Sequence, residues 1–149
     1  YLCTGKNIYN FQKRKEAFRN TLIDHEHFPA KSDIVELGPT IPAITENMLA
    51  WLEFNPLPQG FLFENYQVSI GVMTALRKHG IKFPDQVKAI GIDEIPQYIL
   101  SGAKLTQLKV PHAERAAIAL DLLDKEIHHH WKTHVKVFAQ PEVLMRHSL

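Results

Sequence analysis

The sequence predicts an α/β fold built on a mainly parallel sheet. Short strand-like runs alternate with segments of helical periodicity roughly ten to fifteen residues long, the pattern of βαβ units. Turn and cap residues separate the two kinds of segment. The 149 residues are 45% hydrophobic and 22% charged, too apolar for disorder and sufficient for a packed core.

The opening YLCTG reads as a short strand ending at Gly5, and NFQKRKEAFRNTLIDH (10–25) follows with Phe11, Ala17, Phe18, Leu22 and Ile23 at helical spacing. DIVEL (33–37) is strand-like, and residues from about 45 to 54 return to helical spacing through Met48, Leu49 and Leu52. NPLPQG (55–60) is a turn before the strand GFLFE (60–64). SIGVMTALRKHG (69–80) is a helix closed by Gly80 at its C-terminus, and VKAIGI (87–92) is a further strand. LTQLKV (105–110) is another, ahead of the amphipathic helix HAERAAIALDLLDKEI (112–127). Ala116, Ala117, Leu120, Leu123 and Ile127 lie near one face of that helix, whereas Glu114, Arg115, Asp121, Asp124 and Lys125 lie mostly away from it. Such a face requires a partner surface. HVKVFA (134–139) and EVLM (142–145) finish the chain as two short strands around Pro141, a residue ill suited to a central strand.

Seventeen Lys and Arg balance sixteen Asp and Glu, leaving +1, which is no nucleic-acid footprint. A single cysteine, Cys3, leaves neither an intrachain disulfide nor a thiolate metal cluster to build. No apolar run is long enough to cross a bilayer, and no basic, then apolar, leader opens the chain, so a soluble protein is expected. An apolar stretch beginning at Tyr1 without an initiator Met suggests a chain that opens inside a larger protein.

The short motifs of phosphate-binding loops, dinucleotide sites, nucleophile elbows and zinc proteases are all absent. His25 and His27 flank Glu26 after Asp24, but neighbouring positions do not converge on one helix face, and a polar helix end accounts for them. The run HHH (128–130) is read as a solvated turn after the long helix, because no carboxylate or cysteine spacing supplies further ligands. No catalytic residue, metal or cofactor is assigned. A binding cleft, not an enzyme, is expected.

In an open parallel sheet, ligands collect beyond the carboxyl ends of the strands. Asn65 directly follows GFLFE, Asp93 directly follows VKAIGI, and Arg14 lies early in the helix after the opening strand, on the same side if the crossover is right-handed. A guanidinium, an amide and a carboxylate can satisfy several hydroxyls of a sugar or the polar edge of a base. Each also has an ordinary alternative: Asn65 as a helix cap, Asp93 in an Asx-turn, Arg14 as a solvated helix residue.

The segments RKEAFRNTL (14–22), FLFENYQVSIGVMTALRKHGIKFPDQVKAIGIDEIP (61–96), LTQLKVPHAERAAIALDLLDKEI (105–127) and PEVLMRHSL (141–149) resemble, in order, the effector-binding domain of the LacI/GalR family of bacterial transcription regulators. The likeness covers nearly the whole chain; DIVELGPTIPAITENMLAWLEF (33–54) adds little beyond its strand and helix pattern. The resemblance implies a periplasmic-binding-protein-like I fold of two α/β subdomains around a small effector. Residues 1–107 correspond to the second subdomain and 108–149 to the chain returning to complete the first. The helix-turn-helix, hinge helix and most of the first subdomain would precede Tyr1.

By that likeness Arg14 occupies the family's cleft-arginine position, with Ala17 replacing a frequent Gly. Asn65 matches the Asn of an Asn-Asp pair, and Tyr66 replaces the Asp, which implies a changed effector or a stacking surface for a sugar ring. Asp93 matches a strand-end Asp that accepts from sugar hydroxyls. Val110 stands where some sugar-responsive members carry a polar residue, and Tyr98 is a further cleft candidate with loop packing as its alternative. The resemblance further implies a cytoplasmic homodimeric repressor that binds a sugar or sugar derivative and contacts operator DNA through its N-terminal domain, with no membrane association. A periplasmic or surface sugar-binding protein for transport is the alternative of the same fold; a small α/β enzyme would need an acid–base pair that the sequence does not offer.

Overall fold

The computed structural model describes residues 1–95, 104–129 and 134–149. Six strands form one sheet in the order β2-β1-β3-β4-β5-β6. They are β1 Leu2–Cys3, β2 Val35–Glu36, β3 Gly60–Phe63, β4 Lys88–Ile92, β5 Thr106–Lys109 and β6 Glu142–Leu144. The first five run parallel and β6 is antiparallel to β5. The helices are α1 Tyr9–Asp24, α2 Ile41–Phe54, α3 Tyr66–Lys78 and α4 His112–His129.

Strand order reverses at β1. The chain steps outward to β2, then returns past β1 to place β3 on its other side, so the crossovers on either side of β1 diverge. This is the topology that opens a crevice at the carboxyl ends of the strands.

One face of the sheet is closely packed. Ile44, Met48 and Leu52 of α2 and Val68, Val72 and Leu76 of α3 are buried against Phe61, Phe63, Ala89 and Leu105. The α2–α3 crossing is tight because Gly71 has no side chain: a Cβ there would lie 2.5 Å from Cγ2 of Ile44 and 3.2 Å from the Ile41 carbonyl oxygen. Thr45 crosses the same contact, its hydroxyl donating to the carbonyls of Ile41 (2.9 Å) and Gly71 (3.2 Å). The opposite face is looser. No residue of α1 is fully buried, and a hollow of about 1020 Å³ remains beneath its C-terminal half, bordered by Phe18, Leu22, Phe28 and Trp51.

Several boundaries differ from the sequence reading. The helix expected from residue 45 begins at Ile41, because the Thr40 hydroxyl accepts from the amide of Ala43 and Pro42 sits in the first turn, where its missing N–H costs nothing. The helix expected from 69 begins at Tyr66, capped by Asn65. His128 and His129 continue α4 rather than forming a turn, and His128 Nδ1 lies 3.0 Å from Asp124 Oδ1 one helical turn back. HVKVFA is not a strand: residues 134–139 pair with nothing in this sheet, and Val137 and Phe138 are exposed. A strand needs a neighbouring edge, and none of the described strands pairs with this segment.

Residues 142–148 lie on this same sheet. β6 pairs with β5, the Ser148 hydroxyl donates to the Ala89 carbonyl (2.6 Å) and accepts from the Thr106 amide (2.7 Å), and the Ser148 carbonyl accepts from the Ala89 amide (2.7 Å). Pro141 precedes this edge strand, where it interrupts no ladder. No helix among the described residues is long and apolar enough to cross a membrane.

Replacing Gly71 by Ala forces a methyl against the branched Cβ of Ile44, which cannot rotate away. The expected cost is about 1–3 kcal/mol of unfolding free energy, read as a lower urea midpoint with an unchanged slope.

Candidate functional site

The crevice is built by residues immediately following β1, β3 and β4. At its base Glu64, 1% exposed, turns its carboxylate toward the end of β1. Oε2 accepts from the Thr4 amide (3.0 Å) and the Thr4 hydroxyl (2.7 Å), and Oε1 accepts from the Tyr1 phenol (3.4 Å). Burial and the nearby Glu64 carboxylate push the Tyr1 phenol well above its ordinary pKa, so it remains a donor. Burial also raises the Cys3 thiol, which disfavours the reactive thiolate at neutral pH.

Arg14 reaches from the second turn of α1 to the same point. Nη1 donates to the Glu64 carbonyl at 2.6 Å, and Nη2 pairs with Asp93 Oδ1 at 3.2 Å. The guanidinium also lies 5.7 Å from the ring centre of Phe11. Arg14 is therefore a bridge between the ends of β3 and β4, not a solvated helix residue.

Asp93 takes a left-handed backbone conformation (φ 72°), which Asp tolerates better than most residues. Its amide donates to the Leu108 carbonyl (3.1 Å), and its carbonyl accepts from Gln107 Nε2 (3.2 Å). Gln107 is itself buried and accepts a short hydrogen bond from Arg146, whose Nη2 lies 3.6 Å from Glu94 Oε1. The carboxylate at the cleft is thus aimed by a chain that reaches into the C-terminal segment.

Asn65 is buried and caps α3, its Oδ1 accepting from the Val68 amide at 3.0 Å. The capping alternative holds for the oxygen, and Nδ2 remains as the side chain's other polar group. Tyr66, the first residue of α3, is 49% exposed and presents its ring at the same strand end. Tyr98 lies outside the described residues.

Beside Arg14, beyond the ends of β4 and β5, is a pocket of about 320 Å³ walled by Ile92, Leu108, Val110 and Phe138, with Arg115 of α4 on its rim. Sequence reasoning placed Arg14, Asn65 and Asp93 at one strand end, and the structure joins Arg14 to Asp93 directly. It did not single out Glu64, Gln107, Arg115 or Arg146. Glu64 carried a visible signal, an acid closing an apolar strand; the others acquire their roles only through contacts distant in sequence.

A family model described as a periplasmic binding protein-like domain matches residues 1–149. Among curated proteins, the HTH-type transcriptional regulator GalS of Salmonella typhimurium is 27% identical over 122 residues, 82% of this chain and 36% of that protein. The chain spans 28–41% of the length of the curated relatives it matches. Among solved structures, a sugar-binding transcriptional regulator of the LacI family from Escherichia coli, complexed with phosphate, superposes with a TM-score of 0.83 at 23% identity, over 99% of this chain and 53% of that one. A LacI family transcriptional regulator from Enterococcus faecium with bound ribose gives 0.83 at 20% identity, over 99% and 54%. At these identities the likeness to the solved structures is one of fold.

Glu64→Ala would strip the acceptor from two Thr4 donors in a dry site, an expected loss of about 2–4 kcal/mol. Glu64→Gln keeps one acceptor oxygen and should lose less, the two variants being compared by chemical denaturation.

Proposed function

The chain belongs to the periplasmic binding protein-like domain family, in its LacI/GalR regulator branch, and on that premise we propose that it forms the effector-binding region of a transcriptional repressor that responds to a sugar or sugar derivative. The observation that carries this reading is the Arg14 bridge, a guanidinium held between the Glu64 carbonyl and the Asp93 carboxylate at the reversal point of the sheet. Asp93 offers acceptors to hydroxyls, Asn65 Nδ2 offers a donor, and the Tyr66 ring offers a flat apolar surface. These are groups suited to holding a polyhydroxylated ligand.

Residues 1–109, with 142–149 returned to their sheet, form one lobe. Residues 110–141 belong to the other, whose remaining strands and helices lie in a preceding part of a longer, cytoplasmic protein. The bare face of α4 supports this: Leu120, Leu123 and Ile127 are 67%, 54% and 58% exposed, and they want the surface of that other lobe. The effector binds between the lobes, and contacts that differ between open and closed arrangements shift their equilibrium. In a homodimer that shift repositions N-terminal DNA-binding elements against the operator.

Calorimetric titration of the full-length protein with a sugar panel tests this. Asp93→Asn keeps the left-handed backbone and removes the charge, and should weaken the bound sugar by about tenfold or more with the melting temperature nearly unchanged. Sugar binding indifferent to both Asp93→Asn and Arg14→Gln would place the effector elsewhere.

A further inference from the structure

We propose that the effector carries an oxyanion, as a sugar acid or a sugar phosphate does, and that Arg115 is the residue that reads it. This rests on the cleft reading above and sharpens it. The pocket of about 320 Å³ beside Arg14 has apolar walls, and its two charged lining residues are both cationic, Arg14 and Arg115.

The two guanidinium groups are not equivalent. Arg14 is engaged on both terminal nitrogens, and its charge is offset by Asp93 at 3.2 Å. Arg115 makes no ion pair and no side-chain hydrogen bond with any described residue. Its backbone amide is fixed on the Pro111 carbonyl at 3.0 Å, which anchors its helical turn beside the pocket. Of the two charged residues that line this pocket, Arg14 is offset by Asp93 and Arg115 has no such partner among the described residues.

That imbalance selects the ligand. A neutral sugar entering an apolar pocket strips water from Arg115 and returns hydroxyl contacts alone, whereas a carboxylate or phosphate returns two parallel charge-assisted hydrogen bonds to the guanidinium fork. Asp93 would repel an anion placed against it. The geometry therefore orients the effector, with hydroxyls toward Asp93 and Asn65 and the anionic end toward Arg115.

The test titrates the full-length protein with neutral hexoses, the corresponding hexuronates and the corresponding hexose 6-phosphates of the gluco, galacto and manno series. At least one acid or phosphate should bind about tenfold or more tightly than its neutral parent, and which of the two binds separates the two sources of the anion. Arg115→Met, which keeps the apolar stem, should remove that preference and leave the affinity for the neutral parent within about twofold. A neutral hexose bound as tightly as its charged forms, or anion affinity unchanged in Arg115→Met, overturns the proposal; sensitivity to Asp93→Asn in that case leaves the cleft reading standing. No saturable binding by any member of the panel overturns both.

Discussion

A buried carboxylate with its partners supplied from one side holds this sheet end together. Glu64 sits at the carboxyl end of β3 and is shielded from water, so an unfilled acceptor on its side chain would be expensive. The Thr4 amide and hydroxyl and the Tyr1 phenol are its donors, and all three come from the residues that flank β1. The central register β1–β3 is held there by side-chain hydrogen bonds as well as by a short parallel ladder. The main chain of Glu64 then serves a second purpose, because its carbonyl positions Arg14. One residue thereby sets both the floor of the crevice and the direction of its principal cation.

A second tie runs from the opposite edge. Arg146 bonds to Gln107, Gln107 to the Asp93 carbonyl, and Leu108 receives the Asp93 amide, so the left-handed turn at the end of β4 is held by β5 and by the segment beyond β6. Left-handed Asp is tolerated but not preferred, and it persists where neighbours over-determine it. The return of residues 142–148 to this sheet is therefore part of the site's construction. A lobe lacking its last eight residues would lose the support of Gln107 and free the backbone that aims the Asp93 carboxylate.

The alternation of strands and helices was legible in the sequence because periods of two and near four are local properties of apolar spacing. So was the meeting of Arg14 with Asp93, since parallel connections place every strand end on the same side. What local spacing misjudged was governed by distant partners or by caps. α2 begins four residues early because Thr40 and Pro42 start it before its first apolar residue is buried. HVKVFA alternates as a strand does, but alternation records a half-buried face and not the neighbour needed to pair it. Gln107 looks like an unremarkable polar residue in LTQLKV until Arg146 arrives from thirty-nine positions away.

The balance of +1 over the whole chain conceals a local asymmetry, and it is the local field that a small ligand meets. Lys13–Glu16, Lys15–Glu36 and Lys125–Asp121 are pairs with at least one well-exposed member, where solvent screens the attraction and the contribution to stability is small. Arg14–Asp93 is three-quarters buried on both sides, and there the same elementary charges are felt more strongly. Closure of a second lobe over this end would remove still more water and raise the energetic difference between a ligand that complements the cleft and one that merely fits it. A switch driven by effector depends on that difference, because a ligand bound equally well in the open and closed arrangements shifts neither. On the proposed reading, the polar groups whose burial would change on closure are the Asp93 carboxylate and the guanidinium of Arg115. Glu64, already dry and already paired, contributes rigidity instead.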